Sequence, residues 1–272
     1  MFPGQGGGKE YMDIQLEKGE RIDEIGFGGL KLVQRPDEFC YGVDAVLLAD
    51  AAAGIDMKTA ADLGTGSGVI PLILSHKTDA GLILGVEIQE GALACAAKSL
   101  EINDLGQRIK LVQGDVSKPD ELKKRIAEKA GQCLQDCSFD VVTANPPYTE
   151  GSRGLTSKAD AKMIARHEVA CSLEDFFRSA AMLLKDRGHF FMIHRPARLV
   201  DIFSLGREYG LEPKEMRMIR PDADSAPSMV LVHMVKGGGR QLDMAGDLCI
   251  RDGSGEYSPE IMEIYEKIKY QK

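Results

Sequence analysis

From Thr59 onward, short apolar stretches alternate with longer stretches whose apolar residues recur at helical spacing. This alternation is typical of βα units, which form a mostly parallel sheet with helices on both faces and right-handed crossovers. The sequence therefore predicts an α/β fold. The predicted strands lie at 59–63, 82–86, 109–113, 139–144, 188–194, 211–219 and 229–235, and the last two are expected to pair as a hairpin. The predicted helices lie at 67–76, 89–103, 118–131, 173–185 and 197–209.

Two further regions flank this predicted core. Glycines interrupt an apolar stretch at 21–35, which indicates a β-hairpin, and the next segment predicts a buried helix at 43–53. Near the end, Ser258-Pro259-Glu260 predicts the start of a short helix. The predicted division is a flexible lead-in at 1–15, one domain at 16–236 with its hairpin and helix at 20–55 and its core at 59–236, and a tail at 237–272.

The composition excludes several classes of protein. In a chain of 272 residues, 43% hydrophobic and 28% charged residues are typical of a soluble globular protein. No apolar stretch approaches the length of a membrane span, and the N-terminus lacks a signal-peptide segment, so we expect a cytoplasmic protein without a membrane contact. The cysteines are scattered, and the one close pair, Cys133 and Cys137, has no second Cys or His pair beside it. We therefore expect reduced thiols and no bound metal.

The charge distribution bears on nucleic-acid binding. A formal net charge of −8 argues against broad, non-specific binding to nucleic acid. The charge is uneven, because acidic residues outnumber basic ones at 9–40 and basic residues outnumber acidic ones at 185–240. A basic face on the C-terminal half therefore stays open as an alternative.

The predicted strand at 139–144 ends in Asn145-Pro146-Pro147-Tyr148. The two prolines lack the backbone N–H that another strand residue would need, and ligands bind at this edge of open α/β sheets. The Asn145 side-chain oxygen and the Pro146 carbonyl can accept hydrogen bonds from both N–H groups of a planar amine, and the Tyr148 ring can stack on a heterocycle. The stretch also fits a strand that simply ends at two prolines. The residues at the other strand ends must therefore decide between this interpretation and a binding site.

A glycine-rich segment, Asp62-Leu63-Gly64-Thr65-Gly66-Ser67-Gly68, joins the first core strand to its helix. Glycines let the backbone pass close to a ligand, and the helix N-terminus offers N–H groups. A dinucleotide site requires G-x-G-x-x-G or G-x-G-x-x-A, whereas this segment has G-x-G-x-G followed by Val69. Asp62 would also sit badly beside a pyrophosphate, and it suits a cationic ligand such as an ammonium group instead.

Two carboxylates follow the next two predicted strands. Glu87 can accept hydrogen bonds from both ribose hydroxyls of a nucleoside. Asp115 can accept from the amino group of an adenine, on whose ring Ile88 or Val116 can pack. Taken alone, each acidic residue is better explained as a surface or turn residue than as a ligand-binding residue. Polar sites at four successive strand ends, however, are hard to attribute to coincidence.

Together these motifs, over about residues 59–195, resemble those of the Rossmann-like S-adenosyl-L-methionine-dependent methyltransferases. The resemblance implies that S-adenosyl-L-methionine is the cofactor and that DLGTGSG is the cofactor loop. It also implies that Glu87 binds the ribose, that Asp115 binds the adenine, and that NPPY is the signature of N-methylation of an amino group. The implied catalytic residues are Asn145, Pro146, Pro147 and Tyr148.

A narrower resemblance rests on FCYGVDAVLLAD, on Ala165-Arg166-His167-Glu168 and on PSMVLVHMVKGG. These segments are similar to those of the bacterial tRNA adenine-N6 methyltransferases, which modify the adenine 3′ to the anticodon of a valine tRNA. The resemblance implies a seven-stranded sheet with an antiparallel last strand, and a tRNA whose target base is flipped out of its stack. It places Tyr41 and Asp44 at the methionine end of the cofactor.

The residues expected to bind the cofactor and the substrate come from several parts of the chain. The predicted cofactor-binding residues are Tyr41, Asp44, Asp62, Gly64, Thr65, Gly66, Gly68, Glu87, Ile88, Asp115, Val116 and Asn145. The predicted substrate-binding residues are Arg153, Arg166, His167, Arg195 and Arg198, with Lys158, Lys162, Arg217 and Arg220 as further phosphate contacts.

Other assignments stay open from the sequence. N5-methylation of a glutamine in a protein such as a release factor uses the same NPPY chemistry. Those enzymes carry a helical substrate-binding domain in front, however, and only 58 residues precede the first core strand here. Amino methylation of adenine or guanine in rRNA or DNA is a further alternative, and a catalytically silent RNA-binding subunit is the non-enzymatic one. Both a monomer and a homodimer are compatible with the sequence.

Overall fold

A computed structural model describes residues 14–37, 40–130, 139–147 and 171–266 of the chain. A hairpin of β1 (Arg21–Gly26) and β2 (Leu30–Gln34) precedes helix α1 (Val43–Ala53). The βα units then follow, and two short strands and a helix end the described part. The remaining strands are β3 (Thr59–Leu63), β4 (Leu82–Glu87), β5 (Ile109–Gln113), β6 (Phe139–Ala144), β7 (Leu184–His194), β8 (Leu211–Arg220), β9 (Met229–Lys236), β10 (Asp243–Met244) and β11 (Leu248–Cys249). The remaining helices are α2 (Val69–Lys77), α3 (Glu90–Ile102), α4 (Pro119–Ala130), α5 (Leu173–Leu183), α6 (Leu199–Glu208) and α7 (Pro259–Ile264).

The main sheet confirms the predicted α/β fold. Within the described residues its order is β10–β8–β9–β7–β6–β3–β4–β5, and β11 also pairs with β8, which makes nine strands. Strands β7, β6, β3, β4 and β5 run parallel to one another, and β9 runs antiparallel to both β7 and β8. The seven expected strands are β3 to β9, with the expected antiparallel last strand. The two-residue strands β10 and β11, which the sequence did not predict, extend the sheet beside β8.

Most predicted bounds within this core agree with the structure to within two residues. The exception is β7, which begins at Leu184 rather than at Gly188. Phe139 pairs with Leu184, but the next pair along β6 is Val141 with His189, so the intervening residues of β7 bulge out of the ladder. Arg187, inside this bulge, has a φ of 63°. The sequence thus predicts the regular part of β7 and does not predict the isolated pair that precedes the bulge.

Apolar residues alternate between the two faces of the sheet because successive strand side chains point in opposite directions. Ala60, Ile83 and Val141 pack on one face with helices α1 and α2. Leu84 and Val142 pack on the other face with helices α4, α5 and α6. Both faces are thus covered, as expected for a parallel sheet.

The N-terminal hairpin lies against α3, and side chains at the C-terminal end of α3 satisfy backbone N–H groups of β2. Ser99 Oγ accepts from the backbone N–H of Val33 at 2.9 Å, and Asn103 Oδ1 accepts from the N–H of Lys31 at 3.0 Å. The C-terminal segment reaches the same side of the molecule, where the Tyr265 ring stacks on Phe27 with 5.9 Å between ring centroids. The division of the chain into one domain and a tail stays a prediction, although residues 243–249 plainly add strands to the sheet.

Two further properties concern the described residues alone. No helix among them combines the length and the apolar character that a membrane crossing needs. No three His, Cys, Asp or Glu side chains in this part of the chain come together in a way that could hold a metal ion. Cys40, Cys95, Cys171 and Cys249 are free thiols, while Cys133 and Cys137 lie outside the described residues.

Candidate active site at the carboxyl edge of the sheet

The structure brings the predicted polar residues together at one edge of the sheet. Leu63 pairs with both Val86 and Ala144, so β3, β4 and β6 end at the same level. Glu87 pairs with Gln113, which places the end of β5 beside them. Because these strands are parallel, the residues that follow them share the carboxyl edge, where ligands bind in α/β folds.

The glycine-rich loop after β3 is held against β4 by its own backbone. The N–H groups of Gly64 and Thr65 both donate to the Val86 carbonyl at 2.9 Å. Gly64, Gly66 and Gly68 have φ angles of 75°, 56° and 86°, a region that disfavours residues with a Cβ atom. A Cβ atom at Gly68 would also lie 3.2 Å from the Cβ of Ala96 on α3. Glycine at these positions therefore shapes a loop whose backbone stays accessible to a ligand.

Asp62, the residue before the last of β3, is fully buried behind this loop. Thr143 Oγ1 donates a hydrogen bond of 2.7 Å to Asp62 Oδ1. Burial raises the pKa of Asp62 to about 6, against the opposing effects of the nearby Thr143 and Thr65 hydroxyls. Among the described residues, neither Asp62 Oδ2 nor the buried Thr65 Oγ1 has a hydrogen-bond partner. Buried polar atoms are normally satisfied, so these two atoms fit a ligand that donates hydrogen bonds.

The Glu87 carboxylate is almost fully buried and is fixed by two backbone donors. Gly66 N–H donates to Oε2 and Gln89 N–H donates to Oε1, each at 2.9 Å. Each carboxylate oxygen accepts more than one hydrogen bond, so both oxygens can also accept from a diol. The next residue, Ile88, is an exposed apolar side chain at the same edge. A sugar with two adjacent hydroxyls and an apolar ring fits this pair of residues.

Asp115 follows β5 and forms a turn with Ser117. Ser117 donates to Oδ1 through its backbone N–H at 2.9 Å and through Oγ at 2.6 Å. The Lys118 ammonium lies 3.5 Å from Oδ2. Burial acts to raise the pKa of Asp115, but the Ser117 hydrogen bonds and the Lys118 charge outweigh it, so the pKa lies below its ordinary value. Asp115 is therefore an ionised acceptor, while Val116 beside it is buried in the core and offers less surface than Ile88.

Asn145 and Asp44 meet across the site. Asn145, at the end of β6, is half-buried, and its Nδ2 donates a hydrogen bond of 3.0 Å to Oδ2 of Asp44 in the first turn of α1. Tyr41 lies just before α1, and burial is the main cause that raises its pKa. Pro146 is buried and Pro147 is half-buried, whereas Tyr148 lies outside the described residues. Sequence reasoning placed Asp44 at the cofactor and did not foresee its contact with Asn145.

The basic residues expected to bind the substrate are only partly described. Arg195 is exposed at the end of β7, next to the end of β6, and Arg198 pairs with Asp201 through Nε at 2.7 Å. His194, the last residue of β7, is buried, and its Nδ1 accepts from the backbone N–H of Arg195 at 2.8 Å. Burial lowers the pKa of His194 to about 4, so it is a neutral acceptor. Arg153, Arg166 and His167 lie outside the described residues.

Two further arginines, Arg217 and Arg220, contact acidic residues of the C-terminal segment. Arg217 donates to Glu260 through both terminal guanidinium nitrogens, at 2.5 and 2.8 Å. Arg220 binds Asp247 at 2.5 Å and donates to the Ser225 carbonyl at 2.7 Å. Both β8 arginines are thus engaged with acids of the C-terminal segment, which runs against their expected role as phosphate contacts. No sequence pattern pointed to these pairs, because the segment that supplies the acids has no periodicity that places it on β8.

Comparisons with known proteins agree with this fold and site. Residues 42–199 match the protein family described as methyltransferase small domain. A tRNA1(Val) (adenine(37)-N6)-methyltransferase of Porphyromonas gingivalis is 28% identical over 236 residues, which cover 83% of this chain and 86% of that protein. A protein of the same name from Actinobacillus succinogenes is 32% identical over 154 residues, 56% of this chain and 59% of its own. A crystal structure described as a predicted O-methyltransferase from Agrobacterium tumefaciens matches with a TM-score of 0.62 at 25% identity, covering 82% of this chain and 95% of that one.

Proposed function

The chain belongs to the methyltransferase small domain family, and we propose that its target is the adenine 3′ to the anticodon of a tRNA, which it methylates at N6. It is an S-adenosyl-L-methionine-dependent N-methyltransferase with a Rossmann-like fold, as the sequence predicted. The observation that carries the proposed reaction is the Asn145 side chain, held by Asp44 at the edge where Asp62 and Glu87 also lie. A tRNA substrate also implies a cytoplasmic location.

S-adenosyl-L-methionine supplies an electrophilic methyl group on a positively charged sulfur. The orphaned Asp62 Oδ2 and Thr65 Oγ1 fit its ammonium group, because both atoms are buried and lack a partner among the described residues. Glu87 fits the ribose hydroxyls, Asp115 the adenine amino group, and Ile88 the face of the ring. Gly64, Gly66 and Gly68 keep the loop backbone close to the ligand, and Tyr41 borders the methionine end of the ligand. Val116, nearly buried, contributes at most a narrow edge to the adenine pocket.

The catalytic residues act by position. The Asn145 amide nitrogen faces Asp44, so its Oδ1 lies on the opposite side of the amide. Oδ1 and the Pro146 carbonyl accept the two N–H groups of the substrate amine, which directs the nitrogen lone pair out of the ring plane towards the methyl group. The two prolines fix the backbone of this acceptor pair, and Tyr148, by its place in the sequence, stacks on the flipped adenine. No strong base is needed, since the proton leaves after the nitrogen has gained its positive charge.

The substrate assignment rests on the relatives' names and on the basic residues at the end of β7. Arg195 and Arg198 follow the strand beside Asn145, which suits contacts to phosphates around a flipped base. Arg153, Arg166 and His167 follow Tyr148 in the sequence and stay predicted contacts of the same kind. The release-factor, rRNA and DNA alternatives have no observation in their favour. The oligomeric state and the expected lack of a metal stay predictions.

The test is methyl transfer from labelled S-adenosyl-L-methionine to an anticodon stem-loop. A stem-loop with adenine 3′ to the anticodon should be methylated, and a stem-loop with guanine at that position should not. A ribosomal RNA fragment, a DNA duplex and a release factor serve as competing acceptors. Equal incorporation into both stem-loops, or incorporation into the release factor alone, would overturn the tRNA assignment and leave the fold and the cofactor untouched.

A further inference from the structure

We propose that Asp44 is a positioning residue, which fixes the orientation of the Asn145 amide so that its oxygen faces the substrate amine. The observation is the hydrogen bond of 3.0 Å from Asn145 Nδ2 to Asp44 Oδ2. This inference rests on the proposed function, because it assigns Asp44 a task in the reaction of Asn145. It also departs from the family resemblance, which places Asp44 at the methionine end of the cofactor.

The chemistry of the two side chains makes the orientation unambiguous. A carboxylate accepts hydrogen bonds and donates none, so it selects the amide nitrogen and turns the amide oxygen away. A primary amide without such a neighbour exchanges its oxygen and nitrogen by rotation about χ2, which is a broad, two-fold torsion. In the reversed orientation the amide would present N–H groups to the N–H groups of an adenine. The amine N–H groups would then lose an acceptor, and the nitrogen lone pair would no longer be directed towards the methyl group.

The fold holds Asp44 in place from two sides. Helix α1 is buried from Ala45 to Ala49 and packs against β6 and β7, so the first turn of the helix cannot move away from the end of β6. Gly42 caps the helix without a side chain, and a Cβ atom there would lie 2.6 Å from Asp44 Oδ1. Gly42 has a φ of −110°, which any residue can adopt. Glycine therefore leaves room for the Asp44 carboxylate, which a larger residue at position 42 would displace.

The arrangement also assigns the negative charge a role beyond orientation. The amine nitrogen gains positive charge as the methyl group arrives, and Asn145 lies between that nitrogen and the Asp44 carboxylate. A carboxylate one amide away polarises the amide and strengthens its oxygen as an acceptor, as in other hydrogen-bond chains inside proteins. Both effects act through Asn145 and neither requires Asp44 to touch the cofactor.

A double-mutant cycle tests the dependence on Asn145. Asp44→Ala should lower kcat about 10- to 100-fold, as does loss of a carboxylate that orients a metal-binding histidine. In the Asn145→Ala background the same change should cost less than about threefold, because the residue through which Asp44 acts is gone. Asp44→Asn keeps the side-chain volume and an oxygen that can accept from Asn145, so its kcat should fall less than that of Asp44→Ala. It also serves as the variant that is less prone to misfold. Gly42→Ala, which pushes the carboxylate aside, should follow the pattern of Asp44→Ala. Asp56→Ala, an exposed acid beyond the other end of α1, is the matched control and should behave as wild type.

Two measurements without turnover separate this role from a cofactor contact. Calorimetry should give an S-adenosyl-L-methionine affinity for Asp44→Ala within about threefold of wild type, since charge-assisted contacts to the ligand would cost more. Proton–nitrogen correlation NMR on the protein alone should show shifted Asn145 side-chain amide signals, identified by their loss in Asn145→Ala, that return to ordinary positions in Asp44→Ala.

Equal losses of kcat in both backgrounds, an affinity weakened tenfold or more, or amide signals unmoved by Asp44→Ala would each overturn the proposal. Wild-type inactivity on the adenine stem-loop would instead overturn the proposed substrate, and the NMR result would stand by itself.

Discussion

The backbone N–H of Gly66 donates to Oε2 of Glu87 at 2.9 Å, so the acid that we propose to bind the ribose also holds the glycine-rich loop. Glu87→Ala should therefore weaken S-adenosyl-L-methionine binding by more than tenfold. Hydrogen bonds to a charged group contribute about 1.5–3 kcal/mol each, and the substitution removes at least one such bond together with the support of the loop. Calorimetry measures the change. Glu90→Ala, an exposed acid in the first turn of α3, is the control, and an unchanged affinity for Glu87→Ala would remove Glu87 from the site.

Asn145→Ala should separate binding from chemistry. Its amide nitrogen donates to Asp44, and the carboxylates assigned to the cofactor stay in place, so cofactor affinity should stay close to that of wild type. Turnover should fall by about a hundredfold or more, as after removal of one positioned transition-state interaction. Single-turnover methylation of the adenine stem-loop measures this. A rate within a few fold of wild type would refute the role given to the NPPY segment.

Cofactor affinity should depend on pH through Asp62. Burial raises the pKa of this carboxyl to about 6 in the absence of ligand, and a cationic ligand binds only the ionised form. Protonation therefore competes with binding, and affinity should fall as the pH drops below about 6, by up to about tenfold per pH unit for one proton. Calorimetry between about pH 7.5 and about pH 5 measures the slope. Asp62→Asn should bind more weakly at neutral pH and lose this slope, and a slope that persists in Asp62→Asn would assign it to another group.

Stability should also fall in acid because of His233. Burial, with the nearby His189 and Lys214, lowers the pKa of His233 to about 4, while its ring stacks on Phe191 with 4.4 Å between centroids. The unfolded chain binds a proton to this residue at higher pH than the folded chain does, so stability is lost as the pH falls from the ordinary histidine range towards about 4. His233→Phe keeps a ring for the stack and should reduce this loss, as thermal unfolding at several pH values will show. The same loss in both proteins would refute the assignment.

The salt dependence of tRNA binding should identify the arginines that bind phosphate. Replacing Arg195 and Arg198 with glutamine should flatten the slope of log affinity against log salt by roughly 0.7–0.9 for each phosphate that the variant no longer neutralises. Cofactor affinity should not change. Arg217→Gln with Arg220→Gln is the matched control, because both residues are engaged with Glu260 and Asp247. This control pair should leave the slope unchanged, and a larger effect from the control than from Arg195 and Arg198 would move the RNA-binding face to β8.

How much of this could be predicted depends on whether a feature has a local cause. The helix 43–53 and the strand 59–63 were predicted to the residue, because apolar patterning and glycine placement mark their ends. The four polar strand ends also followed from topology, since parallel strands share one carboxyl edge. The contact of Asp44 with Asn145 did not follow, because it joins elements 101 residues apart in the sequence through a packing angle that no local pattern records. The strands at 243–244 and 248–249 were missed for a related reason, since two residues are too few to show a period.

The stacked rings of Phe27 and Tyr265 set an order of events during synthesis of the chain. The ribosome makes the hairpin first, but the ring that covers Phe27 emerges only after every strand of the sheet. The hydrogen bond of 2.8 Å between the His76 ring and the Glu266 carboxylate, which are 190 residues apart, also forms only at that stage. Domains form from the N-terminus as they leave the ribosome, so this hairpin spends the whole of translation without its final partner. A premature stop before Tyr265 would therefore do its first damage far away in the sequence, on the hairpin that carries Phe27.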